Sequence, residues 1–135
     1  MSHVNVTVHE LPGRKYSSTG SPWEDAVGKC RAVRVGNLIS VSGTVGIQLD
    51  GTFAPTVAEQ TRRSLEIIRS AIEALGGKLS DVVRTRFFLT NISHWEEAGR
   101  VHAEIFRGIR PACTMVQVAA LVGSALVEIE ADAVI

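Results

Sequence analysis

Cysteine is scarce in this chain. Only Cys30 and Cys113 occur, and neither belongs to a CxxC pair or to a Cys/His cluster with metal-ligand spacing. The sequence therefore offers no thiolate metal site, and reduced thiols in a cytoplasmic protein are expected. Charge of one sign is lacking too: 14 Lys and Arg balance 14 Asp and Glu, the basic residues are dispersed, and Arg62-Arg63 is the one adjacent arginine pair. With no basic stripe interleaved with aromatics, nucleic acid is a disfavoured partner. No apolar run approaches membrane-spanning length, and the opening MSHVNVTVHELPGRK has no apolar signal core, so no membrane partner is expected. Ser42 lacks a GxSxG elbow, which argues against nucleophilic hydrolase chemistry.

What is present is one domain over residues 1–135, with 45% hydrophobic residues and enough length to bury a core. The stretch Arg110 to Ile135 organises it. Val116 and Val118, then Val127, Ile129, Ala131 and Ala133, alternate with Gln117, Glu128, Glu130 and Asp132, the period of half-buried strands. The two strands are expected to meet as a hairpin at Val122-Gly123-Ser124. Alternation places Glu128, Glu130 and Asp132 on one face. Either bulk water answers that acidic row, or the face lines a cleft or subunit interface where one carboxylate acts as acid or base.

Earlier in the chain, Val4, Val6 and Val8 suggest a strand ended by Pro12-Gly13, and Tyr16 to Pro22 a loop; His3 and His9 read as solvated. Arg31 to Gly43 reads as a hairpin turning at Gly36-Asn37. Thr56 to Glu59 has capping-box spacing, and Thr61, Leu65, Ile68, Ile72 and Leu75 form one apolar helical stripe that stops at Gly76-Gly77. Asp81 to Asn91 is a buried, central strand. Ser93 to Glu96 resembles a second capping box, opening a helix whose apolar side holds Trp95, Ala98, Val101 or His102, and Ile105 or Phe106. The sum is an α+β domain: a mixed sheet with two helices on one face, the other face left to water or another subunit.

Arg110-Pro111-Ala112 with the following strand, the closing Val127 to Ala131, Gly36-Asn37-Leu38 to Ser42-Gly43, Gln60 to Gly76, and Asp81 to Asn91 together resemble the Rid/YjgF family of imine and enamine deaminases. The resemblance spans about residues 20 to 135. It implies a chorismate-mutase-like subunit in a barrel-like homotrimer, with ligand clefts between chains that take small imino or enamino acids, and no cofactor or metal. It further implies Glu128 as the residue that handles the attacking water, with Trp23, Ser42, Cys113, Thr114 and Met115 lining the ligand.

Several positions depart from the family pattern. Pro-Ala is ordinarily followed by an arginine whose fork grips the substrate carboxylate, and here Cys113 stands there. Trp23 replaces a tyrosine, and Gly99 and His102 stand where asparagine and tyrosine are common. Losing a bidentate anchor from a desolvated cleft costs about 2–5 kcal/mol of binding unless another cation replaces it. Arg31, Arg34 and Arg110 are candidates. Cys113 is either an inert small hydrophobe or, in an open cleft near a cation, a reactive thiolate. Three functions remain: a Rid-type hydrolytic deaminase of altered specificity, a non-catalytic small-molecule-binding trimer, and, weakest, an endoribonuclease or translation inhibitor.

Overall fold

Seven strands form a single sheet in the order β1-β2-β3-β4-β7-β5-β6 in the computed structural model, which describes residues 3–135. The strands are β1 (Thr7–Leu11), β2 (Arg14–Ser18), β3 (Ala32–Val35), β4 (Leu38–Val45), β5 (Val82–Leu89), β6 (Ala112–Gln117) and β7 (Val127–Val134). The helices are α1 (Pro22–Val27), α2 (Val57–Ala74) and α3 (Trp95–Phe106). Every ladder is antiparallel except β5 with β6, which is parallel.

Helix α2 starts where its sequence says it should. The Thr56 hydroxyl accepts from the Glu59 amide at 3.2 Å, a cap worth about 1 kcal/mol. Its stripe is fully covered: Thr61, Leu65, Ile68, Ile72 and Leu75 are all 0–1% exposed. Each such aliphatic side chain contributes about 1.5–3 kcal/mol on burial, so packing against the sheet, rather than the cap, holds the helix. At one point helix and sheet touch backbone to backbone: a Cβ on Gly46 would lie 2.3 Å from the Gln60 carbonyl oxygen. The facing sheet surface is Ile39, Val41, Phe87, Leu89, Val127, Ile129, Ala131 and Ala133, all within the core. Helix α3 covers the β5 side, with Ala98, Val101 and Phe106 inward. His102 sits half-buried on that helix; its ring packs on Phe87 and Phe106, and Nε2 is 2.9 Å from the Thr85 hydroxyl.

Strand β5 is paired on both sides, although only β6 lies between it and the sheet edge. The β3–β4 hairpin turns at Gly36-Asn37 as expected. Other expectations fail. Residues 110–135 form no hairpin, because β5 lies between β6 and β7 and pairs with both. Alternation marked both strands correctly but carries no information about the partner. Tyr16 to Ser18 belong to β2, which pairs with β1 across the Pro12-Gly13 turn, and Pro22, expected to end the loop, opens the short helix α1. The first strand begins at Thr7, not Val4. Ser93 does not cap α3: Asn91 Oδ1 accepts from the Ser93 amide and hydroxyl, closing a 3₁₀ turn over Ile92–His94 that precedes the helix. Trp95 faces outward, 52% exposed.

Helices α2 and α3 both lie on one face of the sheet. The opposite face carries the acidic row, and water is not its only answer. Arg86, in register with Glu130, reaches Glu130 at 3.5 Å and Asp132 at 3.6 Å, and the Ser40 hydroxyl donates to Asp132 at 3.1 Å. Glu128 stands apart from that network.

Candidate functional site

The site begins with an irregularity in β4. Val41 faces Ala131 and Thr44 faces Ile129, so Ser42 and Gly43 together oppose Glu130, a β-bulge that bends the strand. The Gly43 backbone is thereby brought against Glu128. A Cβ at residue 43 would lie 2.6 Å from Glu128 Oε2 and 3.0 Å from its Cδ. Only glycine leaves that carboxylate room where it stands.

Arg31 holds the bulge from below. Its Nη1 donates to the Gly43 carbonyl at 2.7 Å and the Thr44 hydroxyl at 3.1 Å, while Nη2 donates to the Ser21 hydroxyl at 3.3 Å. Its Nε lies 3.6 Å from Glu24 Oε2, and both side chains are 4% exposed. Burial pushes the guanidinium down from its ordinary value, against the opposing pull of the Glu24 and Glu128 charges. For Glu24, burial pushes the carboxyl up. Hydrogen bonds from Thr19 and Ser21 and the Arg31 charge outweigh it, leaving the group below its ordinary value. The buried pair thus ties residues 19–24, the start of β3 and the bulge into one unit.

Trp23 joins the same site, half-buried in α1, whose first turn has Pro22 at its start and Glu24 accepting from the Ser21 amide. The loop after β6 closes over it, since a Cβ on Gly123 would meet the Trp23 ring at 3.9 Å. Trp23, Lys29, Arg31, Gly43, Val122 and Glu128 line one cavity of ≈ 50 Å³. That volume holds water or the reacting end of a small molecule, so a whole metabolite must extend beyond it. An adjoining groove of ≈ 700 Å³ shares Lys29 and Ser21 and is lined by Ser42, Cys30 and Tyr16.

Of the residues expected at the site, Glu128 and Trp23 share the cavity. Ser42 lies in the neighbouring groove with its hydroxyl donating to the Cys30 carbonyl at 2.9 Å. Cys113, Thr114 and Met115 lie on β6, which is separated from β7 by β5, and line no part of this cavity. Cys113 is exposed, so it is not a buried hydrophobe in this chain. Met115 is half-buried, against the core and Gly99. Thr114 pairs with Arg86 on the uncovered face. Sequence reasoning missed Lys29. It follows Gly28, whose φ of 76° ends α1 in a left-handed turn that no side chain adopts cheaply. Burial pushes the Cys30 thiol up, away from thiolate.

The family model described as Endoribonuclease L-PSP matches residues 26–135. The chain belongs to this family, the YjgF/Rid family. A crystal structure of a YjgF/YER057c/UK114 family member from Mycobacterium tuberculosis superposes with a TM-score of 0.84 at 48% identity, covering 90% of this chain and 99% of that one. A 2-iminobutanoate/2-iminopropanoate deaminase from Dermatophagoides farinae is 33% identical over 78% of this chain and 84% of its own. E. coli TdcF, solved with bound serine, gives a TM-score of 0.74 at 27% identity over 78% of this chain and 87% of that one. The α+β fold is therefore that of the YjgF family. Among the described residues no three His, Cys, Asp or Glu side chains gather to hold a metal, and no helix is long and apolar enough to cross a membrane.

Proposed function

We propose that this YjgF-family chain hydrolyses the C=N bond of a small imine, or of the imine tautomer of an enamine, at the Glu128 cavity. Glu128 takes a proton from water as the water oxygen attacks the imine carbon. The proton passes to nitrogen to give a carbinolamine; the carbinolamine hydroxyl proton then moves to nitrogen by way of the same carboxylate, the C–N bond breaks as the carbonyl forms, and ammonia leaves. The observation that carries this reading is the seat of Glu128. Its carboxylate lies against a glycine at the rim of a water-sized cavity, and among the described residues it makes no ion pair or side-chain hydrogen bond, unlike Glu130 and Asp132. A base must have its lone pairs free for water. The deaminase relative and the relative that binds serine agree with a small amino-acid-like ligand.

The working unit is a barrel-like homotrimer. The uncovered sheet face supports this, because Leu38, Val116 and Val134 there remain 45%, 41% and 43% exposed. Strand β6 supports it too: it ends the sheet and among the described residues has one edge unpaired, so its outward amides and carbonyls can meet a ligand held by a neighbour's cleft. In that assembly Cys113, Thr114 and the Met115 backbone complete the cleft. Two free cysteines fit a reducing cytoplasm. Ammonia release from imines by wild type, lost in Glu128→Gln, tests the reading. Thermal protection by a 2-keto acid, with no turnover of any imine, would instead favour a binding module.

A further inference from the structure

We infer that Lys29 is the cation that holds the substrate's carboxylate in this site, taking over from the arginine that Cys113 replaces; the inference rests on the cavity being the ligand site. Three arginines are the alternatives, and the structure commits two of them elsewhere. Arg31 spends its Nη donors on Gly43, Thr44 and Ser21, and is 3% exposed. Arg34 donates to the Gly36 and Leu75 carbonyls, at 2.9 and 2.7 Å, and so fastens the C-terminus of α2. Arg110 is exposed with φ of 57° at the head of β6 and lines no part of the cavity in its own chain.

Lys29 differs on each count. It lines the cavity that holds Glu128 and Trp23 and also the groove that holds Ser42. It is half-buried, and among the described residues its ammonium forms no ion pair or side-chain hydrogen bond. Its backbone is fixed, because the Lys29 amide donates to the Glu24 carbonyl at 2.9 Å in the turn that closes α1. The result is an unspent positive charge on a rigid base, lining the same cavity as the carboxylate that handles water. A 2-imino acid has the matching layout, with an anionic group one bond from the carbon that water attacks. A lysine is a compact point charge with three rotatable donors, where arginine is a planar fork. It therefore accepts carboxylates at more than one angle, and the site should tolerate varied chains on the 2-imino acid.

The test is calorimetric titration of the full-length protein with pyruvate, the 2-keto acid product of 2-iminopropanoate, which binds without being turned over. Wild type, Lys29→Ala, Lys29→Arg, Arg110→Ala and Glu128→Gln are compared, with melting curves to show that each is folded. Lys29→Ala should weaken pyruvate binding about tenfold or more, as expected for one charge-assisted contact, and Lys29→Arg should retain most of it. Rising salt should weaken binding to wild type but not the residual binding of Lys29→Ala. Equal affinity for wild type and Lys29→Ala overturns the inference. So does loss of binding in Arg110→Ala alone, which would assign the contact to the head of β6, or a folded wild type that binds no carboxylate. If binding is lost in Lys29→Ala while no protein releases ammonia, the anchor stands and the deaminase reading fails.

Discussion

Replacing Gly43 by alanine adds one methyl group at the point where the bulge in β4 meets the carboxylate of Glu128. The new Cβ would lie 2.6 Å from Oε2, against an ordinary contact of 3.4–4 Å, so the carboxylate must retreat by 3.4 − 2.6 = 0.8 Å to 4 − 2.6 = 1.4 Å. The clash is with the far end of a flexible side chain, and Gly43 is not among the positive-φ residues, so folding should lose little. Gly→Ala at a compatible site even stabilises by about 0.4–1 kcal/mol through the unfolded state. Chemistry is less tolerant: a displacement of about 1 Å in a catalytic group costs on the order of 100-fold in rate, or about 2.7 kcal/mol of barrier. The assay is ammonia release from freshly generated 2-iminopropanoate, with spontaneous decay subtracted, beside a urea melt. The expected outcome is kcat/KM down about 100-fold with stability within about 1 kcal/mol of wild type. Unchanged kcat/KM would refute the link between the bulge and the placement of Glu128.

Further outcomes follow from the buried charges and the core. Arg31→Met, which leaves Glu24 buried without its cation, should cost about 3–5 kcal/mol in denaturant unfolding, and the double variant with Glu24→Gln should recover much of it. Glu24 has its carboxyl held below the ordinary value of 4.5, so its contribution is present above that pH and is lost as pH falls further through the folded value; Glu24→Gln should flatten the acid limb of a stability–pH curve. His102 is also depressed, by burial, so the unfolded chain binds its proton first and stability should fall as pH drops below 6.5. His102→Leu should remove that slope in urea melts run between neutral and mildly acidic pH. Phe87→Ala, at a fully buried position beneath α3, should cost about 3–5 kcal/mol by the same method.

Long periodic elements were legible in the sequence because local physics decides them. The stripe on α2, the Gly36-Asn37 hairpin and the β-branched run of β5 each need only neighbouring residues to be read. Pairing was not legible. Strand β7 inserts between β4 and β5, and nothing in its alternation distinguishes that position from a hairpin with β6. Helix α1 is too short to show a helical period, although Ser21, Pro22 and Glu24 stand where a cap, a first-turn proline and a third-position acid belong. At the site, Glu128 was visible through alternation and family resemblance. Its isolation from the acidic row was hidden, because it depends on Arg86 reaching its neighbours and on a bulge that sets Gly43 beneath it. Lys29 gave no signal, since its place in the cavity follows from the left-handed turn at Gly28.

The central claim is that Glu128 handles water at a cleft that hydrolyses imines. The most direct measurement is the rate of ammonia and 2-keto acid release from 2-iminopropanoate and from a panel of longer 2-imino acids, for wild type and Glu128→Gln at equal, folded concentrations. Acceleration over spontaneous hydrolysis by wild type, reduced at least about 100-fold in Glu128→Gln, is the predicted result. Equal rates for the two proteins on every substrate would contradict it.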